Sequence, residues 1–600
     1  MLFGKNINRY YLRYCLVFLL GITALLAVDY MQLMIPQFYS YVVNGINAVL
    51  DEANPQNLMT VDGVQVAFTL DFVLDKICLP MMLVIATMIV CRFLWRICFF
   101  SCGIRAETDL RSRMFDRLKG LSQNYYQRSK IGDLMSLFTN DLDTLQECLG
   151  WGVMMLCDAL FLGIMSVIKM ARMSLPLTGL AMIPMLALLA VSLILGRYLT
   201  IKWQKRQEAF SSLSDFSQES FTGIAVIKAF VKETKELLAF RKLNKENEDA
   251  NIVYTRLSVL LHISISLFVE SVICIIFLYG GRLVHDGIFD AGNLVQFIGY
   301  FNSVIWPIMA VSELIEMRSK GRASLNRIDA LLNEEADVVD RPDVTEPAPL
   351  TGEIRFENLT FRYPGTQTDT LKNVTFTIHA GESVGIVGKT GCGKTTLVDL
   401  ILRTYNVPDG SLFLDGHDVN TMPIRFVRKH AAYVPQDNFL FSETIANNIS
   451  FASDTDDGEK IRRAAQASDV HDNIMEFAQQ YETVLGERGV TVSGGQKQRI
   501  SIARALMKDA PILILDDSVS AVDVGTEKKI LQSLRDTRQG KTTILIAHRI
   551  TTVEKMDKIL FMDNGTVVDV GTHQELCERC PAYRTMVDLQ RLDDMTKEAE

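Results

Sequence analysis

The sequence lacks a surplus of positive charge. Lys and Arg number 61 against 70 Asp and Glu, which gives a net charge of -9 at pH 7, and no Lys/Arg-rich tail is present. Proteins that bind nucleic acid do so largely through basic surfaces that displace the counterions of the phosphate backbone. The composition therefore argues against nucleic acid as a partner.

The sequence also lacks a disulfide framework. Its 11 cysteines are scattered, and several lie inside apolar runs, which is typical of reduced cytosolic thiols. Cys577 and Cys580 have the spacing of a redox pair, but the sequence pattern of a redox fold does not surround them. We expect ordinary thiols here, with a redox pair as the alternative.

A cleavable signal peptide is missing as well. The first apolar run, 15–35, is too long for a signal core and has no small-residue cleavage site, so a membrane span is expected. A bilayer crossing takes about 20 residues. Six runs are long enough, near 15–35, 75–100, 149–170, 174–196, 257–280 and 292–315.

The placement of Lys and Arg predicts the orientation of these spans. Lys5, Arg9 and Arg13 precede the first span, whereas the segment 36–75 contains no Lys or Arg. Cytoplasmic loops carry the excess of basic residues, so the N-terminus is expected in the cytoplasm. Six spans then return the chain there. We expect a multi-pass protein of a bacterial cell membrane with both termini cytoplasmic.

The chain is too long for a single core, and its composition changes near residue 330. We predict a transmembrane domain over 1–332, a polar, proline-containing linker over 333–351, a soluble α/β domain over 352–590 and a polar tail over 591–600. The loops 101–148 and 197–256 are charged and helix-patterned, which indicates spans that continue into the cytoplasm as stalks.

Ionisable residues lie in or near the apolar runs: Asp29, Arg92, Asp158, Glu270, Glu313 and Glu316. Charge is costly in hydrocarbon, so such side chains usually face a cavity or one another. The acidic excess favours a path for cationic or amphipathic molecules, with Glu270 as the first candidate. The alternative is pairing between helices, or a position at the membrane interface.

A glycine-rich loop opens the chemistry of the second half. Its residues are Gly388, Lys389, Thr390, Gly391, Cys392, Gly393, Lys394 and Thr395. It follows an apolar strand and precedes a helix from Thr396, which is the context a phosphate-binding loop requires. Backbone N–H groups and the helix dipole favour phosphate there. We expect ATP to be bound by this loop and Thr396, with Lys394 at the β- and γ-phosphates and the Thr395 hydroxyl on Mg²⁺.

Five further motifs follow the order of one protein family. They are Phe361-Arg362-Tyr363-Pro364, Tyr433-Val434-Pro435-Gln436-Asp437, Val492-Ser493-Gly494-Gly495-Gln496, the strand Ile512 to Leu515 with Asp516-Asp517 and then Ser520-Ala521-Val522-Asp523, and Leu545-Ile546-Ala547-His548-Arg549. This order resembles that of the ATP-binding cassette (ABC) ATPases. With the six preceding spans, the chain resembles an ABC exporter half-transporter. The resemblance implies a membrane α-helical bundle followed by an α/β P-loop NTPase domain, and it excludes a soluble ABC protein.

The resemblance implies a role for each motif residue. Tyr363 would stack on adenine. Gln436 would sense Mg²⁺ and the γ-phosphate and link them to the stalks. Asp516 would hold Mg²⁺ through water, Asp517 would be the catalytic base, and His548 would be the switch histidine. Mg²⁺ would thus be served by Gln436 and Asp516 together with the hydroxyl of the phosphate loop.

The signature motif implies a dimer. In the family, Ser493, Gly494, Gly495 and Gln496 would cap the γ-phosphate that is bound by an opposite cassette, so that two cassettes sandwich two ATP molecules. Val492 stands where the family usually has Leu, which we expect to matter little. The segments 125–134 and 218–230 resemble the family's inner loops, whose short helices dock onto the cassettes.

One departure bears on the partner. The family usually carries Glu at the position of Asp517, and the Asp side chain is one methylene shorter. An intact signature beside an Asp base is typical of one chain of a heterodimer, whose partner has Glu. We expect export of small amphipathic molecules, drug-like or lipid-like. The alternatives are a homodimer that hydrolyses slowly at two Asp sites, a lipid or peptide exporter, and an ATP-gated regulatory membrane subunit with little turnover.

Overall fold

The computed structural model describes residues 4–51, 56–61, 64–453, 457–486, 489 and 492–599, with the side chains of Lys5 and of 593–599 left out. The chain divides into two compact units. The first comprises Met1–Lys119 and Ile131–Glu334, and the second comprises Gly120–Lys130 and Glu335–Glu600.

The elements up to residue 333 are helical apart from one hairpin. The helices are α1 Lys5–Arg13, α2 Cys15–Gln32, α3 Ile35–Leu50, α4 Leu70–Phe72, α5 Leu79–Lys119, α6 Gln123–Arg128, α7 Ile131–Ser136, α8 Leu142–Glu147, α9 Val153–Met173, α10 Leu175–Thr222, α11 Ile224–Ala229, α12 Glu233–Ile275, α13 Gly281–His285 and α14 Ala291–Asn333. Short π-helical segments are Val73–Cys78, Leu137–Asp141, Cys148–Gly152 and Ile276–Gly280. The antiparallel hairpin is β1 Leu58–Val61 and β2 Val64–Ala67.

Six helical stretches among the described residues are long and apolar enough to cross a membrane, as predicted. They are Cys15–Leu50, Leu70–Lys119, Ile131–Met173, Leu175–Thr222, Glu233–His285 and Ala291–Asn333. Helix α10 alone has 48 residues. At about 1.5 Å per residue such a helix is roughly twice as long as a bilayer core is thick. The spans therefore continue as helical stalks, as the loop patterning predicts.

The first span is longer than the sequence indicates. The prediction ends it at residue 35, whereas α3 continues the helical stretch to Leu50 before the hairpin. The chain restarts its helix with Pro36 in the first turn, where the missing N–H costs little. The backbone N–H of Gly292 donates to Asn44 Oδ1 at 2.7 Å, which satisfies a polar group within this apolar packing.

The second unit carries the remaining elements. The helices are α15 Lys394–Ile401, α16 Ile424–His430, α17 Ile445–Ser450, α18 Gly458–Ala467, α19 His471–Met475, α20 Gly494–Met507, α21 Val524–Thr537, α22 Ile550–Val553, α23 His573–Arg579 and α24 Pro581–Ala599, with 3₁₀ turns at Val419–Thr421 and Gln480–Glu482. The strands are β3 Ile354–Phe361, β4 Leu371–Ile378, β5 Ser383–Gly388, β6 Leu412–Leu414, β7 His417–Asp418, β8 Ala431–Val434, β9 Ile512–Asp516, β10 Thr542–Ile546, β11 Lys558–Asp563 and β12 Thr566–Gly571.

Two sheets organise this unit. The larger has the order β12-β11-β5-β10-β9-β8, and its strands are parallel except for β12. The smaller is antiparallel, with the order β4-β3-β6-β7. All five residues of β9 and of β10 are buried, as is usual for parallel strands covered on both faces. The predicted α/β class is confirmed.

Candidate functional site

The candidate site lies where four parallel strands end. Ile546 of β10 is in register with Ile386 of β5 on one side and with Asp516 of β9 on the other. Strand β8 lies beside β9, and Gln436 follows it by two residues. Carboxyl ends of parallel strands meet at one edge of a sheet, where α/β proteins bind their ligands. The fold therefore gathers the glycine-rich loop, the two aspartates, Gln436 and His548 at one edge.

The loop after β5 has a backbone that only glycine fits. Gly393 has a φ of 100° at the start of α15, and a Cβ there would lie 2.7 Å from Leu371 Cδ2. At Gly388 a Cβ would lie 2.2 Å from the carbonyl oxygen of Met562. Glycine removes both clashes and lets the loop backbone curve into the concave shape of an anion site. Lys389, Thr390 and Gly391 are exposed on the open side of the loop.

Lys394 is held inside this loop. Its side chain is 6% exposed, and Nζ donates to the carbonyl oxygens of Gly388 and Lys389 at 2.9 and 3.0 Å. These neutral acceptors orient the ammonium at the loop without neutralising it. The neighbouring Cys392 is buried, and burial raises the pKa of its thiol. It therefore acts as a packed apolar residue.

Asp516 and Thr395 form a pair suited to a hard cation. Thr395 favours the charged form of the Asp516 carboxylate, whereas burial, the larger effect, raises its pKa. Asp516 is 1% exposed, and its Oδ2 atom has no hydrogen-bond partner among the described residues. An unpartnered buried carboxylate oxygen beside a hydroxyl fits Mg²⁺, which takes few protein ligands and completes its shell with water and phosphate.

Asp517 sits in a constrained turn. It has a φ of 47°, a conformation that Asp tolerates better than most side chains. Its N–H donates to the carbonyl oxygen of Ile546 at 3.0 Å, and its own carbonyl accepts from Ser520 Oγ at 3.0 Å. The neighbouring strand and the following loop thus fix the position of the Asp517 backbone, from which its half-buried side chain extends. The backbone cannot shift freely to make up for a short side chain.

His548 and Gln436 flank the aspartates at the same edge. His548 is half-buried two residues beyond β10, and its carbonyl oxygen accepts from Gln590 Nε2 at 2.7 Å. Gln436 is exposed, and its carbonyl oxygen accepts from Asn438 Nδ2 at 3.4 Å. Their backbones are anchored while their side chains stay available to a ligand at the sheet edge.

Tyr363 is the centre of an aromatic cluster. Its ring lies 5.1 Å from Phe361 and 5.0 Å from Tyr405, in edge-to-face geometry with both. Its hydroxyl contacts Thr396 Oγ1 at 2.9 Å, and burial raises its pKa to about 12. Below it, burial raises the pKa of Asp399 to about 6. This cluster fixes a half-buried ring beside the phosphate loop.

Tyr405 extends this cluster to the segment around α6, part of the region 125–134 whose resemblance to an inner loop predicts docking onto a cassette. Tyr405 is 2% exposed, and its hydroxyl donates to Gln127 Oε1 at 3.0 Å. Gln127 belongs to α6, which the chain joins directly to α5, yet α6 belongs to the second unit. A second contact, Asn124 Nδ2 to Asp337 Oδ2 at 2.8 Å, holds the same segment. The resemblance does not indicate which cassette residue this segment contacts, and Tyr405 lies 278 positions from Gln127.

The Ser493 motif starts helix α20 with a reciprocal cap. Ser493 Oγ accepts from the Gln496 N–H at 3.2 Å, and Gln496 Oε1 accepts from the Ser493 N–H at 2.9 Å. This capping box leaves Ser493 and Gly494 exposed at a helix N-terminus, while Gly495 is half-buried beside them. The preceding Val492 is 7% exposed and lies in the apolar core of α17 to α20. Its side chain thus packs the start of the motif onto that core.

A glutamine that sequence reasoning missed links this helix to the loop after β9. Gln498 is buried, and its Oε1 atom accepts from the Ala521 N–H at 3.1 Å. The loop then ends at Asp523, which caps α21 by accepting from the Thr526 N–H at 3.0 Å. This hydrogen bond therefore connects helix α20, which carries the signature, to the loop beside Asp517. A glutamine on an amphipathic helix gives no sequence signal for this contact.

The ionisable residues of the first unit fall into three groups. Asp29 is 1% exposed, and Asp158 Oδ2 accepts from Trp306 Nε1 at 2.6 Å. Glu316 pairs with Lys320 at 2.7 Å one turn along the same helix, α14, so this pair does not join two helices. Arg92 donates to Gln32 Oε1 at 3.4 Å. Glu270 and Glu313 are exposed on the isolated chain. Cys577 and Cys580 of the second unit are free thiols.

Comparisons with known proteins agree with this geometry. The family described as ABC transporter transmembrane region matches residues 18–308, and the family described as ABC transporter matches residues 371–520. The chain is 33% identical over 592 residues to the probable multidrug resistance ABC transporter ATP-binding/permease protein YheI of Bacillus subtilis, covering 98% of this chain and 97% of that protein. The chain belongs to the ABC exporter family.

Two other relatives support the same assignment. The multidrug resistance-like ATP-binding protein MdlA of Escherichia coli is 35% identical over 89% of this chain and 90% of its own length. A solved structure of a bacterial Atm1-family ABC exporter with ATP bound is 25% identical, with a TM-score of 0.76 over 97% of this chain and 98% of that one. This exporter is thus a six-span membrane domain fused to one ATP-binding cassette. It couples ATP hydrolysis to transport, and such exporters work as dimers.

Proposed function

We propose that this exporter is one half of a heterodimer that moves small amphipathic molecules, drug-like or lipid-like, out of a bacterial cell. One observation carries the proposal: an intact, exposed signature at Ser493 is combined with a short base at Asp517 in an otherwise complete site. Its relatives are named as multidrug proteins, and a further one, 32% identical over 85% of this chain, is the ATP-dependent lipid A-core flippase of Syntrophus aciditrophicus. The proposal includes both termini in the cytoplasm, which the positions of Lys and Arg before the first span support.

Each group at the sheet edge has a proposed role toward ATP. Tyr363 stacks on adenine, the loop from Gly388 to Thr396 wraps the phosphates, and Lys394 neutralises their charge. Thr395, Asp516 and Gln436 would hold Mg²⁺, which when bound would neutralise negative charge on the phosphates. These residues bind ATP and orient it in the site.

Hydrolysis itself needs a group that orients water. Asp517 accepts the proton of that water, and the side chain of His548 contacts the γ-phosphate of the bound ATP. A base works within about 3 Å of the proton it accepts, and an offset near 1 Å costs about a hundredfold. Because the turn fixes the backbone of Asp517 on both sides, its shorter side chain leaves this site slow.

The second chain is needed on structural grounds as well. Helix α11 has no buried residue, and Ile224, Val226 and Phe230 are 43, 61 and 69% exposed. The cassette exposes aromatic side chains of its own at Phe439 and Phe451. Apolar patches that stay exposed mark interaction sites. We assign the cassette of the partner as the surface that α11 contacts.

Vectorial transport is the experiment that tests the function. Inside-out vesicles that contain this chain and its partner should accumulate a cationic dye only when ATP and Mg²⁺ are present, and a Lys394→Ala variant should not. Flux that follows the dye gradient in both directions, gated but not driven by ATP, would support the regulatory-subunit alternative instead.

The cargo path is tested by Glu270→Gln. An exposed carboxylate in span five attracts cationic molecules at close range, so its loss should lower transport of a cationic dye several-fold and leave a neutral analogue within twofold, because a single unscreened charge contact is worth about 1 kcal/mol. The measurement is initial transport rates of both dyes. Glu316→Gln is the matched control, since its carboxylate is paired with Lys320. Equal losses for both dyes would assign Glu270 to helix packing.

The contact between Tyr405 and Gln127 is tested by Tyr405→Phe. Removing one hydroxyl breaks a single neutral hydrogen bond worth about 1 kcal/mol. We expect ATP affinity within twofold of the parent but about a fivefold drop in molecules transported per ATP, because α6 follows directly on the stalk α5. Tyr481→Phe, which loses its contact with His471 Nδ1 at 2.8 Å, is the control. A loss of ATP affinity without a loss of transport per ATP would refute the role.

A further inference from the structure

The cassette contains a second cavity that no step above uses. It has a volume of about 270 Å³ and lies between α21 and the large sheet, at the amino ends of β5 and β10. The phosphate loop follows the opposite, carboxyl end of β5. The cavity is therefore separate from the ATP site, although it lies in the same unit.

The lining of this cavity is divided by polarity. Apolar side chains form one side: Leu515, Leu531, Leu534, Leu545 and Met556. Cationic side chains from the end of α21 and the turn after α22 form the other, namely Arg535, Arg538 and Lys555. Asp557 is the acid of the lining, and its Oδ2 atom already accepts from the Ser383 N–H at 2.9 Å.

Arg538 is a buried charge without a countercharge. It is 6% exposed, and it donates to neutral oxygens: Thr543 Oγ1 at 3.3 Å, Ala510 O at 3.0 Å, Pro511 O at 3.3 Å and Thr542 O at 3.2 Å. No carboxylate of the described residues lies within 4.0 Å of it. Buried charges in proteins are normally paired.

The acids near Arg538 have other partners, as the bond of Asp557 to the Ser383 N–H shows. Asp509, the acid whose charge acts on Arg538, is already paired with Lys541 at 2.6 Å. Burial lowers the pKa of Arg538 to about 10, which leaves the guanidinium charged at neutral pH. By contrast, the buried Arg403 has Asp340 at 3.9 Å. An uncompensated guanidinium beside an apolar cavity favours a ligand that brings the missing negative charge.

We propose that this cavity binds a small organic anion, with a carboxylate or phosphate monoester head at Arg538 and an apolar body against the leucines. The volume is just below the range of about 300–1,000 Å³ that holds drug-sized ligands. A medium-length alkyl chain or a single aromatic ring suits it. The half-buried Arg535 and the exposed Lys555 attract the head group, and the polar contacts of Arg538 hold its guanidinium in place.

Binding is measured on the full chain in lipid nanodiscs by equilibrium dialysis with isotope-labelled octanoate, after subtraction of empty nanodiscs. We expect one saturable site per chain. Arg538→Gln should weaken it by about tenfold or more, because it removes a charge-assisted contact. The pair Arg535→Gln and Lys555→Gln should weaken it by a few-fold, and more at low salt. Monooctyl phosphate and octanoate, compared as competitors, identify the preferred head group, whereas neutral 1-octanol should not displace either.

A separate variant covers the case in which Arg538→Gln fails to fold. Leu534→Phe keeps every cation and narrows the cavity, so it should abolish saturable binding while ATP binding, which reports a folded cassette, is retained. Saturable binding that is unchanged in Leu534→Phe and in the Arg535 and Lys555 pair would overturn the proposal. So would a complete lack of saturable octanoate and monooctyl phosphate binding by the parent chain.

Discussion

Purified alone in lipid, this chain is expected to hydrolyse ATP slowly, and the rate should rise by between tenfold and a hundredfold when the partner is added. The reason is the reach of Asp517, whose backbone is fixed by Ile546 and Ser520. Alone, the chain can pair only with itself and forms two sites with short bases. Together with a Glu-bearing partner it forms one fast site, to which it contributes the signature.

The control for the rise in ATPase rate is a complex in which the partner's own catalytic base has been removed. With the Glu at the base position of the partner changed to Gln, the assembled complex should return to about the rate of the lone chain. Fast, dye-stimulated hydrolysis by the lone chain would contradict the heterodimer and support a homodimer with two working Asp sites.

The signature and the base of this chain should differ sharply in importance. Ser493→Ala combined with Gly494→Asp is expected to abolish hydrolysis by the complex, because it removes a donor and places a carboxylate where the γ-phosphate of the partner's ATP binds. Gly494 has no atom within 4 Å of an added Cβ, and Asp at a helix N-terminus does not weaken the helix. The loss of ATPase rate would therefore come from the added charge at this site and not from unfolding of the helix. The measurement is the steady-state ATPase rate of the assembled complex.

The control for helix stability is present in the same cassette. Thr572 caps α23 with the same reciprocal bonds to Glu575 as Ser493 makes to Gln496. Thr572→Ala should cost about 1 kcal/mol of stability, as loss of a cap does, and leave most of the ATPase rate. A comparable loss of rate in Thr572→Ala would mean that the signature variant acts by unfolding its helix.

Asp517→Asn should be mild by comparison. Because little hydrolysis occurs at the site of Asp517, we expect at least about half of the complex's ATPase rate to remain. Asp517→Glu is expected to raise the rate by restoring reach to the second site. Loss of activity in Asp517→Asn as complete as in the signature variant would show that Asp517 is a working base.

The sequence predicts the sheet edge well because its parts are local. The glycine-rich loop requires a strand before it and a helix after it, and both form as β5 and α15. The strand that ends at Asp516 is apolar throughout, which is sufficient to place it in a parallel sheet. Hydrophobic length alone identifies the six spans.

What the sequence does not predict depends on contacts between distant residues. The resemblance of 125–134 to a docking loop predicts that this segment meets a cassette, but it does not predict the hydrogen bond from Tyr405 to Gln127. No motif predicts the bond from the Ala521 N–H to Gln498. The continuation of the first span through α3 was missed because its polar residues interrupt the apolar run. One of them, Asn44, is satisfied by Gly292, far along the chain.

The central claim is that the two ATP sites of the assembled complex work at different rates, with the slow one built on the phosphate loop and Asp517 of this chain. The most direct test is the nucleotide content of complex isolated rapidly during turnover with labelled ATP. We expect about half of the bound nucleotide to be intact ATP, and a Lys394→Ala variant of this chain to lose that retained half. Conversion of the nucleotide at both sites to ADP at the same rate would contradict this claim.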